Sequence, residues 1–380
     1  MSQPNINQDN IDLAKDPKKP KSEKDLSRSP WKLAWIRLKR HNLATWSGFI
    51  LIILYVVVIF AGFFAPYGSN TTYREDYFHP PTKIHFFDED GSLTWPYVYN
   101  YEMSDPLMRE YTEVKDVKYP IKFFVRGVEY KFLNLFETNI HFIGVDQPGK
   151  LYLFGTDNFG RDVFSRIVFG GRVSMFIGFG AIIISTLLGM IYGGISGFYG
   201  GWVDNIMMRL AEVIMSIPRL YLLLALAAVL PVEMSSSTRF FLIVIILAFI
   251  GWAGISRVIR GMVLAIREED FAMAAKALGA SDLRVIVKHV LPNTMTYVII
   301  SATLAIPGYI LMESGLSFLG LGIQEPTASW GNMLSAAQSV TKVSLYPWTL
   351  IPGFFIFIVV LCFSLLGDGV RDALDPKADV

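Results

Sequence analysis

Long stretches without a charged residue constrain this chain of 380 residues more than any other feature. A helix needs about 20 predominantly apolar residues to cross the hydrocarbon layer of a bilayer. Four uncharged stretches exceed that length, with 23, 31, 23 and 25 residues at 43–65, 173–203, 290–312 and 343–367. Each of them predicts a transmembrane helix.

Two shorter stretches predict two more spans. Residues 240–256 contain 17 uncharged residues bounded by two arginines, whose long side chains can reach the membrane surface from a short helix. Residues 220–232 contain only 13, so we expect that helix to begin near Met207 and to bend at Pro218. The sequence therefore predicts an all-α polytopic membrane protein with six transmembrane helices.

The composition agrees with a membrane protein and excludes several functions. Charged residues make up 18% of the chain, against about 25% in an average soluble protein. The net charge of +1 provides no global field for nucleic acid, so we expect no nucleic-acid partner. The single cysteine, Cys362, excludes an intrachain disulfide. Because the sequence contains no phosphate-binding loop and no HExxH, GxSxG or CxxC motif, we expect no catalytic residue, metal site or cofactor on this chain.

The distribution of Lys and Arg predicts the orientation in the membrane. The first 42 residues contain ten of them and the 257–289 loop contains six, whereas the 321–347 loop contains one. Short loops rich in Lys and Arg stay in the cytoplasm, so we expect both termini there. Residues 66–172 then lie outside, because segments longer than about 60 residues are translocated largely regardless of charge.

The segment that follows the first span differs in character from the spans. It is rich in aromatic residues, proline and charges, which predicts a small α/β or mostly β extracytoplasmic insert. The predicted regions are a cytoplasmic tail with an interfacial helix (1–42), the first transmembrane helix (43–65), the insert and the approach to the second span (66–172), a core of five transmembrane helices (173–368) that includes an inter-span loop (263–293), and a cytoplasmic C-terminal tail (369–380).

The loop before the fifth span carries the most specific pattern. Residues 268–278 are strong helix formers that begin with acidic residues, which favour a helix N-terminus. Gly279 is predicted to end this helix and Ser281 to cap a second one. Pro292 fits the opening turn of the next span. The first helix places small and apolar residues at i, i+3, i+4 and i+7, namely Phe271, Ala274, Ala275 and Leu278.

Several motifs together resemble a known family. Residues 274–279, followed ten residues later by 289–293, resemble the signature loop in the membrane subunits of bacterial binding-protein-dependent ABC importers. That loop often begins Glu-Ala-Ala, whereas the acidic position is Met273 here. Four more segments are similar to the oligopeptide, dipeptide and nickel branch of the family, and together they point to its C-type permease subunit: 154–162, 197–204, 316–322 and 367–376.

The resemblance implies a type I ABC importer permease fold in a bacterial cell membrane and a subunit that is not itself an enzyme. It implies three kinds of partner besides membrane lipid: a homologous permease subunit in a heterodimer, two cytoplasmic ATPase subunits that bind ATP and Mg, and an extracytoplasmic substrate-binding protein. The loop would dock on the ATPase as a coupling helix through twelve residues, namely Phe271, Met273, Ala274, Ala275, Lys276, Leu278, Gly279, Ser281, Asp282, His289, Pro292 and Asn293.

Other motif residues are expected to be structural. We interpret Glu313 as a satisfied interface acid and Trp330 as an interfacial anchor or a re-entrant plug. The complete structural set is Asp157, Gly160, Arg161, Asp162, Gly200, Asp204, Glu313 and Trp330. Substrate-binding residues are not predicted.

The resemblance implies import of oligopeptides or dipeptides. The same machinery could instead import nickel chelates, oligosaccharides or a peptide antibiotic. Two alternatives from other classes are a self-contained secondary carrier and a membrane-anchored sensor built around the insert. The uncharged cores of five spans argue against a proton-coupled carrier, which usually needs ionisable residues inside the membrane.

Overall fold

The computed structural model describes residues 30–105, 109–133, 135–231 and 233–375. The predicted N-terminal tail before residue 30 and residues 376–380 lie outside this part of the chain. The helices are α1 (Pro30–Arg40), α2 (Asn42–Ile59), α3 (Ala61–Phe64), α4 (Val163–Tyr199), α5 (Gly201–Ser216), α6 (Arg219–Ala228), α7 (Ser236–Ile266), α8 (Asp270–Ala277), α9 (Asp282–Val285), α10 (Met295–Phe318), α11 (Trp330–Met333), α12 (Val340–Leu345) and α13 (Ile351–Leu374). The strands are β1 (His85–Phe87), β2 (Leu93–Asp105), β3 (Glu110–Pro120), β4 (Lys122–Phe132) and β5 (Phe136–Gly144).

The described residues are mostly helical and contain five or six candidate membrane spans. Helices α2, α4, α7, α10 and α13, the last two with their short leading turns, are long and apolar enough to cross a bilayer. Helices α5 and α6 pass the same test only as a pair bent by 83°, so they make a sixth span if they count as one. The bend lies at Pro218, as predicted, because this residue is the N-cap of α6 and stands between the two helices of the bent pair.

Several predicted boundaries are wrong by up to ten residues. Helix α4 begins at Val163 rather than residue 173, because Asp162 accepts a hydrogen bond from the Ser165 amide and caps it. Helix α2 ends at Ile59 and is followed by the separate turn α3, so no helix is continuous over 43–65. At the other end of the chain, α13 continues to Leu374, past the predicted end of the core.

Helices α4 and α7 form the tightest pair of the bundle. Three glycines spaced four residues apart on α4, Gly189, Gly193 and Gly197, face α7. A Cβ on Gly193 would lie 2.4 Å from the carbonyl oxygen of Ser256, and one on Gly197 would lie 2.7 Å from that of Arg260. The two backbones therefore touch, as in membrane helix pairs that place small residues at the contact.

The insert between α3 and α4 is a pair of small antiparallel sheets, which confirms the predicted β content. Strands β1, β2 and β3 form one sheet in that order, and β4 and β5 form a separate hairpin. A small apolar cluster joins the first sheet to the segment before α4 through Val98, Ile121, Val145 and Leu151. The insert is thus attached to the end of the bundle at which α4 begins.

Candidate functional site

The segment between α7 and α10, residues 267–294, forms a corner that we call the elbow. Helix α8 ends in a Schellman motif, in which the Gly279 amide donates to the Lys276 carbonyl oxygen at 3.0 Å and the Ala280 amide to that of Ala275 at 3.1 Å. Gly279 has φ +85°, a left-handed conformation that only glycine adopts cheaply. No atom lies within 4 Å of the position that a Cβ on Gly279 would take, so the requirement for glycine is conformational.

The inner side of the elbow packs on the bundle. Ala272 of α8 is buried, as are Val285 and Val290 after the corner. Ala275 and Ala280, which flank the corner, pack against the same cluster. The cluster is completed by residues of α7 and of α10, namely Ile259, Val263 and Val298. The elbow is therefore fixed to the end of α7 and to the start of α10.

The outer side of the elbow exposes apolar side chains away from the bundle. Its side chains are those of Phe271, Met273, Leu278, Leu283 and Val287, with exposed fractions of 44, 51, 89, 69 and 53%. One of them, Met273, occupies the position at which the family loop often has an acid. The face is a surface of about one helix and a half, too apolar to be explained as a solvated turn.

Burial divides the predicted α8 face between two sides. Phe271 and Leu278 lie on the outer side, whereas Ala275 is half-buried and turns toward the bundle. Ala274 is exposed beside Phe271. The ion pair between Lys276 and Asp282, 3.4 Å apart, bridges the corner instead of belonging to either face.

The second half of the elbow is irregular. Ser281 is the N-cap residue of α9, as predicted, but its side chain makes no capping hydrogen bond. A π-helical turn over Ile286–Val290 and a 3₁₀ turn over Leu291–Thr294 lead into α10, with Pro292 in the first positions of the latter. Within these turns the Asn293 side chain donates to the carbonyl oxygen of His289 at 2.6 Å. Pro292 and the two turns therefore connect the elbow to α10 without a break in the helical path.

Two arginines tie the elbow end of the bundle together. Arg267, the C-cap residue of α7, donates from Nη1 to the carbonyl oxygens of Gly197 and Phe198 at 3.1 and 3.0 Å, in the last turn of α4. Asp204 of α5 accepts from Ser196 of α4 at 2.5 Å and is paired with Arg260 of α7, whose Nε lies 2.9 Å from Oδ1. The predicted structural residue Asp204 thus joins three helices.

Gly200 makes the turn between α4 and α5 beside these contacts. Its φ is +66°, and a Cβ there would lie 2.9 Å from Nη1 of Arg267. The residue is therefore constrained by conformation and by space, which agrees with the structural role predicted for it.

At the opposite end, a network of charges fixes the start of α4. Arg161 donates to both oxygens of Glu325, at 2.6 and 3.1 Å, and Arg166 donates to Glu325 at 3.0 Å. Arg161 also pairs with Asp157 at 2.7 Å. Burial works to raise the pKa of Glu325, but the two guanidinium groups outweigh it and hold that pKa below its ordinary value. The network links the approach to α4 with the loop after α10.

Two neighbouring motif residues hold the turn before α4. Gly160 has φ +71°, and a Cβ there would lie 2.0 Å from the carbonyl oxygen of Tyr73, so no other residue fits. Asp162 is buried and accepts from the amide and the hydroxyl of Ser165 at 2.7 and 2.6 Å. These contacts are those of a structural turn, as the sequence predicts.

Glu313 and Trp330 meet through one serine inside the bundle. Ser174 of α4 donates to Glu313 at 3.2 Å and accepts from the amide of Trp330 at 3.1 Å. Glu313 also accepts from Ser317 at 2.7 Å, so this buried acid is satisfied, as predicted. Trp330 is 1% exposed and donates from its indole nitrogen to the Ile167 carbonyl oxygen at 2.8 Å. An anchor at the membrane surface is therefore wrong for Trp330, because the ring is enclosed by protein.

Comparison with known proteins gives the family. The profile of the binding-protein-dependent transport system inner membrane component matches residues 174–380, more than half of the chain. The chain belongs to this permease family. A second profile, the N-terminal TM domain of oligopeptide transport permease C, matches residues 29–81. The elbow lies inside the first match, and the β strands lie between the two.

Curated relatives agree with this assignment. The permease is 42% identical over 231 residues to the oligopeptide transport system permease protein OppC of Bacillus subtilis, covering 60% of this chain and 73% of that protein. It is 44% identical to the dipeptide transport system permease protein DppC of the same organism, covering 60% and 70%. It is 43% identical to OppC of Haemophilus influenzae, again covering 60% and 70%. The family is the membrane component of a transport system and not an enzyme.

A cavity opens on the side of the permease formed by α6, α7 and α10. It is lined by small, aliphatic and aromatic residues and by one cation, Arg219, which is the first residue of α6. Among the described residues no carboxylate forms an ion pair with Arg219. The remaining lining residues include Gly251, Gly254, Tyr297, Gly308 and Tyr309.

Sequence reasoning missed the residues whose partners are distant in the chain. Glu325 is 164 residues from Arg161, and Arg260 is 56 residues from Asp204. No local spacing signals such pairs. The only local signal for this pairing is that Glu325 is the single acidic residue in the 321–347 loop.

Proposed function

We propose that this permease is a subunit of an ATP-driven importer of oligopeptides or dipeptides. The cargo follows from the relatives, which are named as oligopeptide and dipeptide transport permeases. The single observation that carries the mechanism is the exposed apolar side of the elbow. That side exposes apolar side chains away from the bundle, while the inner side of the elbow is packed on α7 and α10.

In this proposal the outer side of the elbow docks in a cleft of a cytoplasmic ATPase subunit. A short helix that presents apolar side chains to a groove is a common mode of protein recognition. The coupling residues are those predicted, from Phe271 to Asn293, with Phe271, Met273 and Leu278 in contact with the ATPase. Ala275, on the inner side, supports the elbow instead. ATP and Mg belong to the ATPase subunits.

The proposed topology places the elbow and both termini in the cytoplasm. The bent pair α5 and α6 then counts as one span, which gives six transmembrane helices and the type I permease architecture. The insert lies on the extracytoplasmic side, where a substrate-binding protein would deliver the cargo. A homologous permease subunit would complete the pore as a heterodimer, because one such bundle leaves its polar cavity open on one side.

We place the translocation path at the cavity that contains Arg219. Ionisable residues inside a membrane bundle usually mark a substrate path, and this cation has no acidic partner in the described chain. The carboxylate of a peptide, or an acid on the second permease subunit, would satisfy it. The glycines that line the cavity leave room for a passing chain.

The deciding experiment is purification of the tagged permease from its own membranes, followed by reconstitution and peptide uptake. Co-purification of two ATPase subunits and a second permease, with uptake of short peptides that requires ATP, is the expected result. Uptake that continues without any ATPase would support a self-contained carrier instead. ATP-driven uptake of a nickel chelate or an oligosaccharide, but not of peptides, would support the ATP-driven importer and contradict the peptide cargo.

A further inference from the structure

The β4–β5 hairpin runs alongside the chain that leaves α2. Phe132 and Phe136, the last pair before the turn of the hairpin, stack with ring centroids 5.3 Å apart. Phe132 also stacks at 5.5 Å on Phe60, the residue directly after α2. Near the other end of the hairpin, Phe142 lies 5.8 Å from Phe63. Since the turn end meets Phe60 and the open end meets Phe63, the turn points back toward α2.

Leucines stand on both sides of Asn134 in this turn, which is unusual for a turn in water. Leu133 and Leu135 are exposed by 44 and 78%, and Phe136 by 58%. Leu133 has φ +47°, in the region where glycine or asparagine is usual. The Leu135 amide donates to the Phe132 carbonyl oxygen at 2.9 Å, so the turn is closed on itself. A leucine therefore occupies a strained position at Leu133, and its neighbour Leu135 is left largely exposed.

Another turn of the same insert provides the contrast. The β1–β2 turn contains the acidic residues 88–90 and Gly91, which has φ +75°. This is the composition expected of a turn in water. Leu93, at its end, is 79% exposed, almost the same fraction as Leu135. Leu93 and Leu135 thus have almost equal exposure, but Leu93 follows an acidic turn and Leu135 lies in a turn that contains two leucines.

The apolar turn lies next to the lipid-facing side of α2. One side of that helix exposes Ile52, Ile53, Val56 and Ile59, by 63, 45, 42 and 37%. The guanidinium of Arg172 donates to the carbonyl oxygens of Val58 and Ile59, both at 2.7 Å, so it marks the level at which polar groups begin. Phe60 is the next residue after this level, and Phe132 at the end of the hairpin stacks on it. Because the turn points back toward α2 from there, we infer that it reaches the apolar side of the level marked by Arg172.

We propose that the β4–β5 turn inserts its leucines into the bilayer, in the leaflet at the C-terminal end of α2. The occupant of this surface is lipid, because the exposed apolar surface of the turn is continuous with that of a membrane-spanning helix. Lys131 and Glu137, which form an exposed pair 3.8 Å apart just behind the turn, lie at the level of the headgroups. Phe132 and Phe136 take interfacial positions, where aromatic rings are enriched.

Such an anchor would fix the orientation of the insert relative to the mouth of the bundle. The Leu135 amide is paired within the turn, and the turn extends only a few residues, so this donor enters the membrane already satisfied. The inference requires that α2 crosses the membrane, and it does not depend on the cargo or on ATP. Under the proposed topology the leaflet is the outer one.

The test compares Leu135→Cys with Leu93→Cys, each in a Cys362→Ala background and in the complete purified transporter. Each variant carries a nitroxide label and is reconstituted in nanodiscs of phosphatidylethanolamine and phosphatidylglycerol. Electron paramagnetic resonance then measures collision of the label with oxygen, which concentrates in lipid, and with a water-soluble nickel chelate. The Leu93 position is the matched control because its exposure is the same.

We expect the oxygen-to-chelate collision ratio to be severalfold higher at position 135 than at position 93, because oxygen concentrates in lipid whereas the water-soluble chelate is excluded from it. The ratio at position 135 should fall when the protein is moved into a short-chain amphipol. Equal ratios at the two positions in nanodiscs would overturn the proposal. A label at position 135 that neither reagent reaches would also overturn it, since the turn would then be covered by protein.

Discussion

Replacement of Gly279 by alanine tests whether the elbow works as a rigid corner. The residue has φ +85°, and no atom lies within 4 Å of the new Cβ, so the substitution changes conformational energy and nothing else. A left-handed conformation costs a non-glycine residue about 1–2 kcal/mol. That energy lowers the population of the native corner by about 5- to 30-fold relative to its alternatives. Gly279→Val should exceed this loss, whereas Gly279→Asn should fall below it, because asparagine tolerates the conformation better.

The assay is the number of peptides imported per ATP hydrolysed by the reconstituted transporter. Gly261→Ala is the matched control, because a Cβ at Gly261 also meets nothing within 4 Å but the residue lies inside helix α7 without a positive φ. Alanine at a helical position is neutral or stabilises by about 1 kcal/mol. We therefore expect Gly261→Ala to retain the native number of peptides imported per ATP. Among the Gly279 variants, the loss of this ratio should be smallest for Asn, larger for Ala and largest for Val.

Hydrogen exchange over residues 270–294 separates the two links of this argument. Faster exchange in Gly279→Ala with unchanged transport per ATP would show that the corner matters for local order but not for coupling. Transport and exchange that are both the same in Gly279→Ala and Gly261→Ala would refute the reasoning entirely, since the φ of Gly279 would then have no energetic consequence.

Three further predictions concern the outer side of the elbow, the charge network and the cavity. Leu278→Glu should weaken co-purification of the ATPase by about tenfold or more, as for a hot-spot residue worth about 2 kcal/mol. Val340→Glu, at a site that is 82% exposed on the other end of the bundle, should leave co-purification unchanged. Equal effects of the two substitutions would contradict docking of the ATPase on the outer side of the elbow. Glu325→Gln should destabilise the bundle by roughly 1–3 kcal/mol at pH 7, because Arg161 and Arg166 lose their shared carboxylate. Since the pKa of Glu325 is held below its unfolded value, the stability it provides is present above that unfolded value, about 4.3, and is lost as the pH falls from there through the folded pKa. Thermal unfolding of wild type and Glu325→Gln should therefore converge only well below about pH 4, and a difference that stays constant from pH 7 down to about pH 2 would contradict the assignment. Arg219→Gln should slow peptide uptake and Arg219→Lys should restore most of it with ATPase binding intact, whereas identical uptake by all three forms would exclude Arg219 from the path.

The sequence allows the prediction of features that depend on local patterns. Charge-free stretches identify the spans, and the glycine after an alanine-rich helix identifies the corner at Gly279, because each signal lies within one element. The two sides of α8 could not be assigned in this way. Phe271, Ala274, Ala275 and Leu278 share a helical face by spacing, yet Ala275 packs on the bundle, because it lies at the edge of that face nearest the buried Ala272.

The start of α4 shows a second limit. Charged residues such as Arg166 and Arg172 usually end a membrane span, so the sequence favours a later beginning. In the fold Arg166 is neutralised by Glu325, and Arg172 binds carbonyl oxygens of α2. The charges are thus compatible with a long helix only because of partners that no local pattern reveals.

In the proposed mechanism, the attachment of the elbow determines which helices respond when an ATPase subunit moves it. Its inner side packs on α7 and α10, and Arg267 binds the last turn of α4. Helices α4 and α7 touch backbone to backbone along Gly189, Gly193 and Gly197, which leaves no room for one to slide past the other's side chains. A displacement of the elbow must therefore carry α4 and α7 together as one body. The hinge of such a motion has to lie elsewhere, and the 83° bend between α5 and α6 beside Arg219 is the candidate that the fold offers.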